Sequence, residues 1–467
     1  MREEWLGVWW RAGSDTRVGG NLVLDDKGGK LVLFGSFFDW TGFDLAAGVG
    51  FPLGEPQTIA VIHGRTIDPV SVLSARCDFP VPPGAEGFEG WHAEAVVGAH
   101  VKGPEGGSEP TFTGVQFELE SLPAWSRARG VAQRYSEGSR TEVVVQPHGL
   151  AACQLPSGEE VSIEQWAVTS EEPLQYQIRQ PVKISIQGTP PATWKELLNR
   201  WLQPLQVLLW LATGVAGRVE QMEVRLPRPE EHSPKWAKLW ASLVEPALTN
   251  GRELHPSDVL FFADELPGGF GVGLAKWLSV WDDLRHVLGP LYARASAPFA
   301  YANDRFYTAV AAIEAYHRYY VESEQDLPRV EHRERVARIE RIVSEQAPDL
   351  RDWAVNAVQP FNRIPLWQRI VDIAERLPDV SSDLFGSHLH GFAKAVEEAR
   401  NGHAHALEGS RAIESGEGLY VSADALVWLL RACVLVDLGL DSTQSRIRQH
   451  ERFGWTTRRL HEVLRAL

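Results

Sequence analysis

The chain has 467 residues, 44% of them hydrophobic, 23% charged and 10% aromatic, with eighteen tryptophans. At roughly 100 to 200 residues per domain this is enough for two to four domains with cores of their own, which excludes a mini-protein or a disordered tail. The 46 Lys and Arg against 61 Asp and Glu leave a net charge of −15, which excludes a chain that coats polyanions by bulk attraction and still allows a local basic cleft.

In chain order, residues 1–180 read as strands and turns. Short β-rich runs alternate there with Gly, Pro and Asp clusters. The clearest hairpin joins Leu22-Val23-Leu24 to Leu31-Val32-Leu33-Phe34 through Asp25-Asp26-Lys27-Gly28-Gly29. Further strands are expected at Thr58–His63, Thr111–Leu119, Thr141–Val145 and Gln175–Ile186, and an antiparallel sandwich or barrel follows.

Residues 181–295 read as a mainly helical connector packed on the β domain, with helices expected over Trp194–Leu211, Trp236–Leu248 and Leu274–Tyr292 and a strand at Val219–Leu226. From 296 to 467 every periodic segment is helical. Ser296 is expected to cap a first helix with Pro298 in its first turn, placing Phe299, Phe306, Val310, Ile313, His317 and Tyr320 on one stripe. Others are expected at Val330–Gln346, Trp367–Leu377, from about Leu384 past Ala399, and at Ser422–Leu438. The last is apolar nearly all round, interrupted by Asp424, Arg431 and Asp437, as suits the centre of a bundle. The fold class is therefore α+β and multidomain.

Three cysteines, Cys77, Cys153 and Cys433, are too few and too far apart for a disulfide framework or a CxxC site, which points to a reducing compartment. Met1-Arg2-Glu3-Glu4-Trp5 puts acids where a secretion signal needs bases, and the uncharged run between Arg200 and Arg218 is broken by Gln203, Pro204, Gln206 and Gly214. A cytoplasmic protein with no membrane partner is expected.

The segment richest in chemistry is Glu397-Glu398-Ala399-Arg400-Asn401-Gly402-His403-Ala404-His405. With Phe392 at zero and about 100° per residue, Ala395, Val396 and Ala399 continue an apolar stripe, and His403 falls on it at about 20°. Arg400 at about 80° and His405 at about 220° project away from it. By residue type alone the two are equally at home on a solvated surface. Together they supply what metal-free phosphodiester cleavage needs, a group near neutrality that moves protons and a fixed cation for charge developing on phosphorus. Their 140° separation is poor for one site on one straight helix. Either Asn401-Gly402 ends or bends the helix, or a second copy completes the site.

Arg400-Asn401-Gly402-His403-Ala404-His405 resembles the Arg-x4-His signature of HEPN-domain ribonucleases, placed late in an all-helical domain as in that family. Gly7-Val8-Trp9-Trp10, followed by Arg17-Val18-Gly19-Gly20-Asn21-Leu22-Val23-Leu24, resembles the β domain of the ApeA family of anti-phage proteins, which join such a region to a C-terminal HEPN domain. The resemblance implies an abortive-infection effector, a HEPN helix bundle over 296–467, and metal-independent RNA cleavage through 2′-hydroxyl attack and a 2′,3′-cyclic phosphate. It implies His405 as general acid or base, Arg400 as stabiliser of the phosphorane, and Asn401 as orienting residue. No cofactor is implied. The implied partners are an RNA substrate such as tRNA or another host RNA, a phage-derived trigger, and a second copy in a homodimer or higher oligomer, with the N-terminal domain regulating the nuclease.

Other constellations carry less. His388-x-His390 and His403-x-His405 face opposite sides of a helix and cannot chelate together. Gly268-Gly269-Phe270-Gly271-Val272-Gly273 lacks GxGxxG spacing and reads as a flexible loop. The alternative from another class is a non-catalytic helical module that binds nucleotide or protein, joined to a ligand-sensing β domain.

Overall fold

The computed structural model describes residues 3–465 except 26–27, 38–57, 67–68, 80–88, 102–108, 129–131, 136–140, 145–147, 167, 173–174, 228–234, 242–253, 298–300, 322–326, 359–361, 406–412 and 414. The chain forms two compact units. The first comprises Met1–Leu209, Gly217–Thr249 and Phe262–Ala275, and the second Trp210–Ala216, Asn250–Phe261 and Lys276–Leu467.

The first unit starts with strands β1 (Glu3–Arg11), β2 (Val18–Asp25), β3 (Gly28–Leu33), β4 (Thr58–Arg65), β5 (Pro69–Phe79), β6 (Glu89–Ala93), β7 (Ala95–Val97) and β8 (Phe112–Leu119). After the short helix α1 (Leu122–Trp125) come β9 (Ala132–Tyr135), β10 (Thr141–Val144), β11 (His148–Gln154), β12 (Glu160–Gln165), β13 (Val168–Glu172), β14 (Gln175–Arg179) and β15 (Val182–Ala192). Helix α2 (Trp194–Leu197) passes through a π-helical turn, Leu198–Leu202, into α3 (Gln203–Thr213), and β16 (Val219–Arg225) and β17 (Trp236–Ala241) follow.

Of the two architectures the sequence allows, the structure takes the barrel and adds strands to it. The order β5-β4-β1-β2-β3-β6 closes because β6 also pairs with β5, and β7-β17-β16-β8-β15-β12-β11 extends the sheet. Strand β5 serves both parts: Ser71–Leu73 pair with β7, and Arg76–Phe79 pair with β6. Ser74, at φ +50°, lies where the partner changes. The expected hairpin pairs Leu22 with Leu31, and both fill the barrel with Trp9, Leu33, Ile62, Val72 and Trp91.

This architecture explains the double tryptophan physically. Trp9 points inward, its Nε1 donating to the Gly20 carbonyl at 3.0 Å, and a Cβ on Gly64 would stand 2.3 Å from its ring. Trp10, one residue on, points outward by the alternation of a strand. It packs beside His63 and His100, at centroid distances of 5.7 and 5.4 Å.

Burial, with His100 and Arg17 nearby, holds the His63 imidazole down at about 4. The unfolded chain takes up that proton near pH 6.5 and the folded barrel near 4, so stability present above 6.5 is lost as pH falls between those values. The melting temperature of the wild type is expected to fall more steeply across pH 6.5 to 4 than that of His63→Gln. Parallel curves would assign the acid sensitivity elsewhere.

Three sequence expectations are corrected. Trp236–Leu248 is not a helix: Trp236–Ala241 form β17, because Ala237 and Leu239 alternate into the core and the strand is bonded on both edges, by β16 and β7. Residues 242–248 lie outside the described set. Ser296 does not cap a new helix. It ends the preceding one, its Oγ donating to the Tyr292 carbonyl, while Pro298 and Phe299 lie outside the described residues. The glycine-rich segment 268–273 is a tight turn at Gly268-Gly269 followed by the first turn of a helix over Phe270–Ser296, rather than a flexible loop. Gly268 and Gly269 have φ of +75° and +85°, and a Cβ on Gly271 or Gly273 would stand about 2.6 Å from Cys153 or 2.5 Å from Leu266.

The C-terminal helices are α4 (Phe270–Ser296), α5 (Ala302–Tyr320), α6 (Arg329–Gln346), α7 (Arg351–Val358), α8 (Leu366–Glu375), α9 (Pro378–Phe385), α10 (Leu389–His405), α11 (Gly416–Asp437), α12 (Thr443–Gln449) and α13 (Glu451–Leu464). Helix α11 is the centre of the second unit, with α5 along it and α8, α9, α12 and α13 around it. By length and composition it passes as a membrane span, yet 78% of that window is buried within the protein, as a core helix requires. Of the stripe expected on α5, Phe306, Val310, Ile313 and His317 are buried, while Tyr320 at its end is exposed, Tyr316 is buried in its place and Phe299 lies outside the described residues. The helix expected from about Leu384 begins at Leu389, since Gly386 at φ +55° ends α9 before α10 begins.

The polar interruptions of α11 each find partners, with Arg431 Nε alone among their atoms left buried without one among the described residues. Asp424 accepts from Arg452 and from Thr456 Oγ1, at 3.4 Å each. Arg431 donates to the carbonyls of Trp210 and Leu211 in the last turn of α3, at 3.4 and 2.9 Å, and lies over the Trp428 ring at 4.5 Å. Asp437 bonds Tyr316 and Arg376, joining α5, the end of α8 and α11.

Candidate active site

Helix α10 positions the candidate residues. Phe392, Ala393, Ala395, Val396 and Ala399 are buried and fix its rotation, while Glu397 fixes its position along α8. The Glu397 carboxylate accepts from the Leu366 N–H at 2.9 Å, capping α8 where its own first turn leaves donors open. Lys394 lies 5.8 Å from the Trp367 ring on the same side.

This packing leaves Arg400 half-buried and Asn401 exposed. Arg400 Nη1 donates to the Asn401 side-chain oxygen at 3.1 Å. Among the described residues no carboxylate forms an ion pair with the guanidinium, since the nearest one in sequence on the core side, Glu397, is committed to α8. An oriented arginine without a described carboxylate partner is a ready contact for a phosphate, which takes the guanidinium fork in bidentate fashion.

The expectation that Asn401-Gly402 ends or bends the helix is not met. Helix α10 continues to His405, with Gly402 buried against its neighbours. Over five residues of continuous helix, Arg400 and His405 are separated by about 140° of rotation and about 7.5 Å of rise. The backbone of His403 and His405 is helical, and their side chains lie outside the described set.

Two polar clusters in the same unit have no sequence signature, because they join segments 55 to 121 residues apart. Tyr316 donates to Asp437, and Arg376 donates to both the Tyr316 hydroxyl and the Asp437 carboxylate, at 2.5 Å each, above the Tyr320 ring at 3.7 Å. Burial foremost, with Cys433 and Asp437 close by, pushes the Tyr316 phenol far above its ordinary value, and burial pushes the Cys433 thiol up to about 12. His317, 1% exposed, meets Asp372 at 2.9 Å, and Gln368 donates to the other Asp372 oxygen at 2.7 Å. These groups bond one another inside the bundle and act as stitching. Among the described residues no three His, Cys, Asp or Glu side chains are grouped to hold a metal.

The family described as ApeA N-terminal domain 1 matches residues 4–277, and the one described as Apea-like HEPN matches residues 307–444, a span that contains 400–405. No curated protein and no solved structure matches the chain. The first match covers more than half of the sequence and falls on the β-barrel with its added strands, and the second falls on the helices around α11. The chain therefore belongs to the ApeA-like family, with the β N-terminal region and C-terminal HEPN domain of an anti-phage defence effector.

Proposed function

We propose that the protein is a metal-independent endoribonuclease that halts translation in infected cells. The 2′-oxygen of RNA attacks the adjacent phosphorus as its proton passes to a general base, the bond from phosphorus to the 5′-oxygen breaks, and that oxygen leaves with a proton. The products are a 2′,3′-cyclic phosphate and a 5′-hydroxyl. His405 moves the protons, Arg400 stabilises the charge on the phosphorane, and Asn401 holds the guanidinium. The observation that carries this reading is the Arg400 guanidinium, fixed by Asn401 and free of a described carboxylate, in a chain of a HEPN family.

Because α10 is unbroken, the separation of Arg400 and His405 favours a site shared by two copies, each giving one residue to either cleft. The substrate is a cellular RNA such as tRNA, and a phage product releases the activity. The first 300 residues carry −11 of the net charge and help to keep RNA away until then.

Purified protein is expected to cut RNA in EDTA and leave cyclic-phosphate ends. Arg400→Lys, which keeps the charge and loses the fork, is expected to cut at least about tenfold more slowly with unchanged melting. Equal rates would remove Arg400 from the site, and cutting that EDTA stops would remove the mechanism.

A further inference from the structure

The outer face of the barrel gathers side chains that the sequence scatters. Opposed residues of paired strands share a face, so Val8 and Trp10 of β1 stand beside Arg65 and His63 of β4, with His63 opposite Ser71 of β5. Arg17, just before β2, lies over the Trp10 ring at 4.3 Å and is held there by its bond to the Ser14 carbonyl at 2.7 Å. His100 approaches from the segment after β7, its ring 5.5 Å from that of His63. Leu6, Val8 and Phe34 are exposed on the same side, Phe34 beside Gly19.

Hydrogen bonding holds both imidazoles in place. His63 Nδ1 lies 3.1 Å from Ser71 Oγ, which also accepts the Val101 N–H at 3.2 Å. Held down at about 4, His63 is neutral at pH 7. His100 Nε2 donates to the Gly64 carbonyl at 2.9 Å. Two imidazoles thus flank a guanidinium stacked on an indole, with Arg65 exposed nearby.

We propose that this face binds an unpaired nucleotide. The base stacks on the layer made by Arg17 over Trp10, its edge meets the two imidazoles, and its phosphate meets Arg17 and Arg65. The nucleotide comes from a single strand or as a free mononucleotide. The inference concerns the first unit alone and stands whether or not the HEPN domain cuts RNA.

The test uses the full chain with a fluorescein-labelled decamer of 2′-O-methyl RNA, which has no 2′-hydroxyl to attack. Binding is read by anisotropy, with AMP and UMP as competitors. Arg17→Gln and His100→Gln, both at exposed positions, are expected to weaken binding about fivefold or more each, with melting unchanged. A 4-thiouridine decamer is expected to crosslink within residues 5–34 or 63–71. Competition by AMP or UMP at micromolar concentration identifies a free nucleotide as the source, and binding of the decamer alone identifies a strand. Unchanged affinity in both variants, crosslinks confined to residues beyond 296, or no binding of either probe would overturn the proposal.

Discussion

His405→Ala is expected to lower RNA cleavage by about 10²- to 10⁴-fold, the usual worth of a positioned proton-transfer group, and to leave thermal melting unchanged. Arg400→Ala is expected to be as damaging, because the phosphorane then develops its charge without a cation. The informative experiment mixes the two inactive proteins. In a site shared across a dimer, an Arg400→Ala copy supplies His405 and an His405→Ala copy supplies Arg400, so half of the randomly paired dimers hold one intact cleft. Activity should return to about one quarter of wild type. No recovery after subunit exchange would place both residues in one copy's site, which the continuous helix α10 disfavours. Full activity in His405→Ala would move the proton transfer to another residue, with His403 the nearest in sequence.

Arg431→Ala is expected to destabilise the second unit by about 3 kcal/mol, lowering its melting by roughly 6 to 12 °C. Arg431 is buried, with Trp210 and Trp428 beside its guanidinium, and its partners are two helix-end carbonyls. Burial lowers the guanidinium to about 9, still above neutrality, so the group is charged at pH 7. Truncation leaves a void between aromatic rings and two carbonyls at the end of α3 without their donor. Arg431→Met refills most of the volume, and an apolar side chain there no longer has to be desolvated as a charge. It is expected to cost less than half as much. Equal losses for Ala and Met, measured by calorimetry on the full chain, would show that the carbonyl bonds and not the packing set the cost.

The N-terminal β architecture and the C-terminal helices were legible in the sequence, because period-two and helical patterns arise from local geometry. The hairpin at Leu22–Leu31 and the buried stripe on α5 are examples. Boundaries were less so. The run Trp236–Ala241 is apolar enough for either element, and its strand state comes from partners far away in sequence, β16 and β7. A similar non-local effect decided between barrel and sandwich, since closure depends on β5 pairing with both β6 and β7 along its length.

For function the division is similar. The Arg400 to His405 segment is contiguous, so its residue types and spacing can be read directly, and its family is shown by the sequence matches. That Glu397 is drawn to the first turn of α8 and not to Arg400 is something no spacing rule contains. The outer barrel face shows this most fully. Trp10, Arg17, His63, Ser71 and His100 span ninety residues, and strand register and one turn of chain bring them together. Sequence alone determined the elements and the contiguous motif, because both are set within a few residues of one another. Tertiary structure decided which side chains meet and which charges stay unpaired, because those outcomes depend on pairings between distant segments.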